Sequence, residues 1–161
     1  MIDYARSFID SHVKKKIKER LKMIKKFKEK IKTLREEKAK EGWNNLPIKP
    51  WKLIKELKEI LPKNSIVVEE CITSVSFIEH YFEFNEPNSL YGEIGGSLGW
   101  GFPAALGVKL ANPKSPVIAL IGNGSFLFSL QALWTASKYN IPVIAIIFNN
   151  SYGSRISFIK L

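Results

Sequence analysis

Two polar clusters in this chain hold the residue types best suited to chemistry, and each directly follows an apolar run. The first is Gly122–Ser125 (Gly-Asn-Gly-Ser), and Asn150 belongs to the second, with twenty-four residues between Ser125 and Asn150. Asparagine carbonyl oxygens suit Mg²⁺ when phosphate oxygens complete its shell. Glycine lets a ligand approach the backbone closely, and amides that open a helix attract phosphate. The clusters therefore predict a site for a phosphate group with a divalent cation.

The elements around these clusters are expected to place them at one edge of a sheet. The apolar runs 117–121 and 143–148 are rich in β-branched residues, as buried strands are, and the segment 126–139 between them is predicted to be helical. Ligands of parallel sheets bind at the carboxyl ends of the strands. Further helices are predicted at 10–41, 50–61, 74–84 and 102–110, and a further strand at 65–69. This alternation predicts an α/β fold with a mostly parallel sheet and helices on both faces.

The spacing of the two clusters resembles the cofactor signature of thiamine diphosphate enzymes, in which Gly-Asp-Gly is followed at a similar distance by Asn-Asn. The glycine-rich segment Gly95–Ala105 resembles the loop that precedes this signature in benzoylformate decarboxylases and acetolactate synthases. Ala132–Ala136 and Tyr139–Pro142 are similar to the benzoylformate decarboxylase branch. The resemblance covers residues 46–157 and implies a thiamine diphosphate-binding fold, with thiamine diphosphate and Mg²⁺ as cofactors.

The resemblance also implies roles for individual residues. The implied metal ligands are the side chains of Asn123 and Asn150 and the backbone carbonyl of Tyr152. The backbone carbonyl of Gly96 would accept a hydrogen bond from the 4′-amino group of the cofactor, and Leu98 would support the bend between its two rings. The full implied cofactor-binding set is Thr73, Gly96, Ser97, Leu98, Gly122, Asn123, Gly124, Ser125, Asn150, Tyr152 and Gly153.

Several of these residues have plainer interpretations that the sequence leaves open. Leu98 has the residue type of an ordinary core leucine. Thr73 or its neighbour Ser74 suits the N-cap of the helix that follows. Asn123 and Asn150 are residue types common in turns and helix caps.

Two departures from the family pattern bear on the metal. Asn123 stands where the family has an aspartate, so a neutral amide replaces a negative charge and the affinity for Mg²⁺ should fall. Ser151–Gly153 is one residue shorter than the usual segment between the Asn pair and Tyr-Gly, which affects the carbonyl assigned to Tyr152.

The positive charge lies in the N-terminal part of the chain. Residues 1–63 hold 20 Lys and Arg against 9 Asp and Glu, whereas residues 64–161 hold 5 against 6. Apolar residues recur every three or four positions from Val13 to Leu34, which predicts a long basic amphipathic helix. Its stripe should pack on the sheet domain, on another chain or in a coiled coil. Binding of nucleic acid or an anionic membrane is less favoured than a solvated, lysine-rich face.

The expected organisation is a basic helix and linker over 1–45, the end of a middle domain, followed by a thiamine diphosphate-binding domain over 46–161 that is incomplete at its C-terminal end. In the family, a separate pyrimidine-binding domain supplies the glutamate that activates the cofactor, and nothing before residue 46 resembles it. We therefore expect a homo-oligomer or a partner chain that carries this domain, with a non-catalytic interaction module as the alternative. No membrane span or signal peptide is evident and Cys71 is the only cysteine, which favours a cytoplasmic protein.

Overall fold

The computed structural model describes residues 10–40, 42–82, 84–92 and 95–150. The chain divides into two compact units, Met1–Leu46 and Pro47–Leu161. The elements in chain order are α1 Ser11–Lys40, α2 Pro50–Ile60, β1 Ile66–Glu70, α3 Val75–Tyr81, β2 Leu90–Gly92, α4 Gly101–Ala111, β3 Val117–Gly122, α5 Asn123–Leu127, α6 Ala132–Lys138 and β4 Ile144–Phe148.

The first unit contains α1, a helix of 30 residues, as the recurrence of apolar residues every three or four positions predicts. The backbone N–H of Val13 donates to a carboxylate oxygen of Asp10 at 2.7 Å, so Asp10 caps the helix and sets its start. The predicted end at Glu41 lies outside the described residues. Within the described ranges, no helix combines the length and the apolar character that crossing a membrane requires.

The second unit is built on a sheet of four parallel strands in the order β2-β1-β3-β4. In the register of the sheet, Glu70 of β1 is the Cα partner of Ile121, and Gly122 of β3 is the partner of Phe148. The carboxyl ends of β1, β3 and β4 are therefore level with one another. The α/β fold with a parallel sheet and a preceding long helix is confirmed.

Helices cover both faces of the sheet, because alternate residues of the central strands point to opposite sides. Ile66, Val68 and Ala119 pack in a cluster with α4 residues, whereas Val67 and Ile118 pack in a second cluster with α2 and α3 residues. Since both faces are buried, β3 is a continuous apolar run without the polar alternation of a half-exposed sheet, and β1 is apolar until its last two residues, Glu69 and Glu70.

Three elements differ from the expectation. The helix predicted over 74–84 ends at Tyr81, because Phe82 has an extended backbone. The strand Leu90–Gly92 was not predicted, because its three residues are too few to show a pattern. The helix predicted over 126–139 is wrong in its bounds: helical structure begins at Asn123 and is interrupted between Leu127 and Ala132. The interruption is a series of tight i→i−3 hydrogen bonds, including Ser129 N–H to Phe126 C=O at 3.1 Å. Phe128, within the interruption, lies close to the glycine-rich loop, since a Cβ at Gly99 would be 2.6 Å from Cβ of Phe128.

Candidate functional site

A cleft with a cavity volume of about 550 Å³ opens at the carboxyl ends of β1, β3 and β4. Four segments line it: residues 47–50 with Leu53 at the start of α2, residues 71–74 after β1, residues 122–125 after β3, and residues 147–150 at the end of β4. All four belong to the second unit of the chain. The cleft thus occupies the edge of the sheet at which parallel α/β folds bind their ligands.

The sheet register explains why the two polar clusters meet in this cleft. Gly122 is paired with Phe148, and each is the last residue of its strand. Asn123 and Asn150 therefore follow neighbouring strands at the same end of the sheet. Six of the predicted site residues line the cleft: Thr73, Gly122, Asn123, Gly124, Ser125 and Asn150. Three others, Gly96, Ser97 and Leu98, do not line it. Tyr152 and Gly153 lie outside the described residues.

The surroundings of Gly122 leave room that the protein does not use. Its backbone is extended, with φ −67° and ψ 143°, which any residue adopts. A Cβ at this position would lie 3.7 Å from the backbone oxygen of Glu70 and 3.9 Å from Oγ of Ser125, both ordinary contacts. Neither backbone strain nor crowding therefore requires glycine here. The free space beside Gly122 fits a ligand that comes close to the backbone.

The backbone positions of the polar residues bear on their plainer interpretations as turn or capping residues. Asn123 is the first residue of α5 and Gly122 holds the N-cap position. Within the described ranges the non-glycine residues with positive φ are Asn88 and Asn140, so neither Asn123 nor Asn150 has a left-handed backbone. Ser74 occupies the N-cap position of α3, but its side chain makes no capping hydrogen bond. The half-buried Leu98 is less enclosed than the residues of the core.

The charge of the cleft favours an anion. Lys49 is the only formally charged side chain among the described residues that line it. Cys71 also lines the cleft, but burial raises the pKa of its thiol well above the usual range, and the Glu69 carboxylate raises that pKa further. That thiol faces Oε2 of Glu69 at 3.9 Å and stays protonated at neutral pH. The described part of the cleft wall therefore carries one positive charge and no formal negative charge.

The donors of the cleft do not fit a site that holds Mg²⁺ alone. Proteins bind this ion through one or two carboxylates together with substrate phosphates. The side chains of Asn123 and Asn150 offer neutral amide oxygens, and no carboxylate is among the described lining residues. Elsewhere in the described part of the chain, no three His, Cys, Asp or Glu residues form a group suited to a metal. Negative charge for a cation would have to come from a bound diphosphate.

The glycine-rich loop lies between β2 and α4 and is attached to the end of β1. Gly95, Gly96 and Gly99 have φ values of 107°, 76° and 90°, which are strained for residues with side chains. The backbone N–H groups of Gly99 and Gly101 donate to the two carboxylate oxygens of Glu70. Glu70 therefore connects this loop to the end of β1 beside the cleft, a role that was not predicted from the sequence. Its signal was an acidic pair, Glu69-Glu70, that ends an otherwise apolar strand.

Over residues 72–156 the chain matches the family described as "Thiamine pyrophosphate enzyme, C-terminal TPP binding domain". Thiamine pyrophosphate (TPP) is another name for thiamine diphosphate. The chain therefore belongs to this family, as the cofactor signature predicts.

Individual relatives agree with this assignment. The chain is 39% identical to a probable acetolactate synthase large subunit of Methanococcus aeolicus, a match that covers 67% of this chain and 19% of the relative. It is 36% identical to a benzoylformate decarboxylase of Pseudomonas aeruginosa, over 72% of this chain and 22% of the relative. The crystal structure of a benzoylformate decarboxylase from Polynucleobacter necessarius superposes with a TM-score of 0.66 at 32% identity, covering 71% of this chain and 22% of that one. The chain spans about a fifth of the length of these relatives.

Proposed function

We propose that this chain binds the diphosphate end of thiamine diphosphate in the cleft at the carboxyl ends of β1, β3 and β4. The observation that carries the proposal is the convergence of the two signature clusters on one cleft, where Lys49 is the only formally charged side chain among the described lining residues. An anion with several oxygens suits such a wall, because backbone amides and hydroxyls supply donors while the lysine supplies attraction.

The proposed contacts follow from position. Gly122 and Gly124 bring the backbone against the diphosphate, and Ser125 and Thr73 add hydroxyl groups. Asn123, Asn150 and the carbonyl of Tyr152 would complete the shell of a Mg²⁺ ion that enters together with the diphosphate. Gly96, Ser97 and Leu98 belong to the loop that would meet the aminopyrimidine end.

The whole reaction requires parts beyond the described residues. When bound, thiamine diphosphate supplies an electron sink for decarboxylation of 2-oxo acids and for carbon–carbon bond formation. This chain would hold and orient that group, whereas the activating glutamate would come from a pyrimidine-binding domain on another chain. A homo-oligomer or a complex with such a partner is the proposed working form, as part of a 2-oxo acid decarboxylase or an acetolactate synthase-like enzyme.

Calorimetric titration with inorganic diphosphate and with thiamine diphosphate, each with Mg²⁺, tests the proposal. We expect the natural chain to bind both, and Lys49→Gln to bind inorganic diphosphate several-fold more weakly with a smaller dependence on salt. Lys58→Gln is the matched control, because this exposed lysine of α2 does not line the cleft. Equal affinities for all three proteins, or no binding by the natural chain, would contradict the proposal.

A second candidate function has one observation in its favour. The neutral Asn123 and the absence of a carboxylate among the described lining residues suit a relative that has lost cofactor chemistry and serves as an interaction module. In that case the folded chain would assemble into oligomers or with a partner and would not bind thiamine diphosphate. Sedimentation measurements with and without the cofactor separate the two functions.

A further inference from the structure

Glu70 is a buried carboxylate at the end of a central strand. Its relative exposure is 1%, and all five residues of β1 are buried. A carboxylate persists in such surroundings only when hydrogen bonds replace the water that it has lost. The partners of its two oxygens therefore indicate why an acidic residue stands at this position.

Both oxygens of Glu70 are bound to the glycine-rich loop. Oε1 accepts a hydrogen bond from the backbone N–H of Gly99, and Oε2 accepts one from the backbone N–H of Gly101 at 2.7 Å. The two donors lie on either side of Trp100, the N-cap residue of α4. The carboxylate thus holds the end of the loop at two points, twenty-nine and thirty-one residues away along the chain.

The loop is shaped to admit this carboxylate. A Cβ at Gly101 would lie 2.8 Å from both Cβ and Oε2 of Glu70, closer than real side chains approach. Residue 101 must therefore be glycine while Glu70 keeps its position. The fit is mutual, because a residue at 70 without a carboxylate would leave at least one of the two N–H groups without its acceptor.

The same residue also touches the wall of the cleft. The backbone oxygen of Glu70 faces Gly122, where a Cβ would lie 3.7 Å away. The residue that follows Glu70, Cys71, lines the cleft directly. Glu70 therefore joins the glycine-rich loop to the edge of the sheet at which the diphosphate cleft opens.

We propose that Glu70 is a positioning residue that sets the glycine-rich loop at a fixed distance from the diphosphate cleft. The inference rests on the proposed function, because a fixed distance matters only to a ligand whose two ends meet the loop and the cleft. Thiamine diphosphate is such a ligand, and inorganic diphosphate is not. Loss of the attachment should therefore weaken the first ligand and spare the second.

Glu70→Gln is the sharpest variant, since it keeps the volume of the side chain. The amide has one acceptor oxygen, and its NH₂ group faces a second N–H donor, so one of the two loop hydrogen bonds is lost. Glu86→Gln is the matched control, because Glu86 is exposed in the connection between α3 and β2. Both changes remove one negative charge, so only the attachment of the loop differs.

Two measurements on these proteins test the proposal. Calorimetry should show that the affinity of Glu70→Gln for thiamine diphosphate is at least about fivefold lower than that of the natural chain, the loss expected for one hydrogen bond. Its affinity for inorganic diphosphate should stay within about twofold of the natural value. Amide hydrogen exchange followed by NMR should be at least tenfold faster at Gly99 and Gly101 in the variant, while β3 amides keep their protection. Glu86→Gln should match the natural chain in both measurements.

The possible failures are distinguishable. Unchanged thiamine diphosphate affinity in Glu70→Gln, or an equal loss for both ligands, overturns the positioning role while the proposed function stands. A natural chain that binds neither ligand removes the proposed function, and the positioning role with it. If Glu70→Gln does not fold, amide hydrogen exchange in the ligand-free natural chain tests the attachment of the loop. Amides of Gly99 and Gly101 that exchange as fast as the amide of Gly95 would disprove that attachment.

Discussion

Gly122 and Phe148 are Cα partners in the parallel pairing of β3 with β4. Each is the last residue of its strand, so the two polar clusters begin at the same level on adjacent strands. This one pairing converts a separation of twenty-four residues in the sequence into a shared wall of the cleft. A shift of one residue in register would turn the side chains of β4 to the opposite faces of the sheet.

We expect Gly122→Ala to fold normally and to lose affinity for diphosphate. The extended backbone and the ordinary contacts of a Cβ at this position predict a change in unfolding free energy within about 0.5 kcal/mol. A methyl group in the cleft should nevertheless keep the ligand away from the backbone and reduce its affinity at least tenfold, about 1.4 kcal/mol. Urea unfolding and calorimetry measure the two quantities on one protein.

Gly107→Ala is the control for that prediction. Gly107 lies in α4 with no atom within 4 Å of a Cβ, so alanine there should stabilise the helix by about 0.5–1 kcal/mol and leave ligand binding unchanged. If Gly122→Ala binds diphosphate as well as Gly107→Ala does, the space beside Gly122 is not part of the site.

Asn123→Asp should make diphosphate binding depend more strongly on Mg²⁺. The variant adds a carboxylate to a cleft whose described lining has none, and carboxylates are the ligands that this cation favours. We expect the ratio of affinities with and without Mg²⁺ to rise about tenfold or more relative to the natural chain. Titrations in Mg²⁺ and in a chelator give this ratio.

Asn140→Asp makes the same change in charge near the amino end of β4, away from the carboxyl ends at which the cleft opens. Asn140 precedes β4 and has a left-handed backbone, which aspartate tolerates. Its Mg²⁺ ratio should equal that of the natural chain. Equal increases in both variants would show a general effect of net charge with no ligand role for residue 123.

Gly99→Ala should destabilise the fold more than Gly95→Ala does. Both glycines have positive φ, and a side chain in such a conformation costs about 1–3 kcal/mol. At Gly99 a Cβ would in addition lie 2.6 Å from Cβ of Phe128, whereas at Gly95 it would meet nothing within 4 Å. Overpacking adds about 1–3 kcal/mol, so the two unfolding free energies should differ by at least about 1 kcal/mol. Equal costs would mean that Phe128 does not pack against the loop.

The sequence predicted the parts of this fold in which local pattern and tertiary structure agree. The apolar runs of β3 and β4 are long and rich in β-branched residues, the shorter run of β1 is Ile-Val-Val, and Pro50 marks the start of α2. The bounds of these elements were therefore found within about one residue. The break between α5 and α6 was not predicted. Phe128 in this break lies close to Gly99, which is far from it in the chain. Local patterns carry no information about such contacts.

The same distinction applies to the site. The clusters at 122–125 and 150 were found because their residue types and spacing form a known signature, although their individual roles remain predictions. Lys49 and Glu70 were not assigned to the site, since their roles depend on folded geometry: the start of α2 meets the cleft, and a strand-end carboxylate meets the glycine-rich loop. A lysine before a proline and an acidic pair at the end of a strand are too common to indicate a site alone.

The thiol of Cys71 should make the stability of the fold depend on alkaline pH. Burial raises the pKa of this thiol in the folded chain, and the nearby Glu69 carboxylate adds to the rise. The unfolded thiol ionises near its ordinary pKa of about 8.5. Stability from the protonated thiol is therefore complete below that pH and is lost as pH rises above it, by up to about 1.4 kcal/mol per pH unit.

Urea unfolding of the natural chain and of Cys71→Ala from pH 7.5 to 10.5 isolates the effect, because every other titrating group is common to both proteins. The difference in unfolding free energy should stay constant up to about pH 8.5 and then shrink; a difference that stays constant to pH 10.5 would show that the folded thiol ionises as readily as the unfolded one.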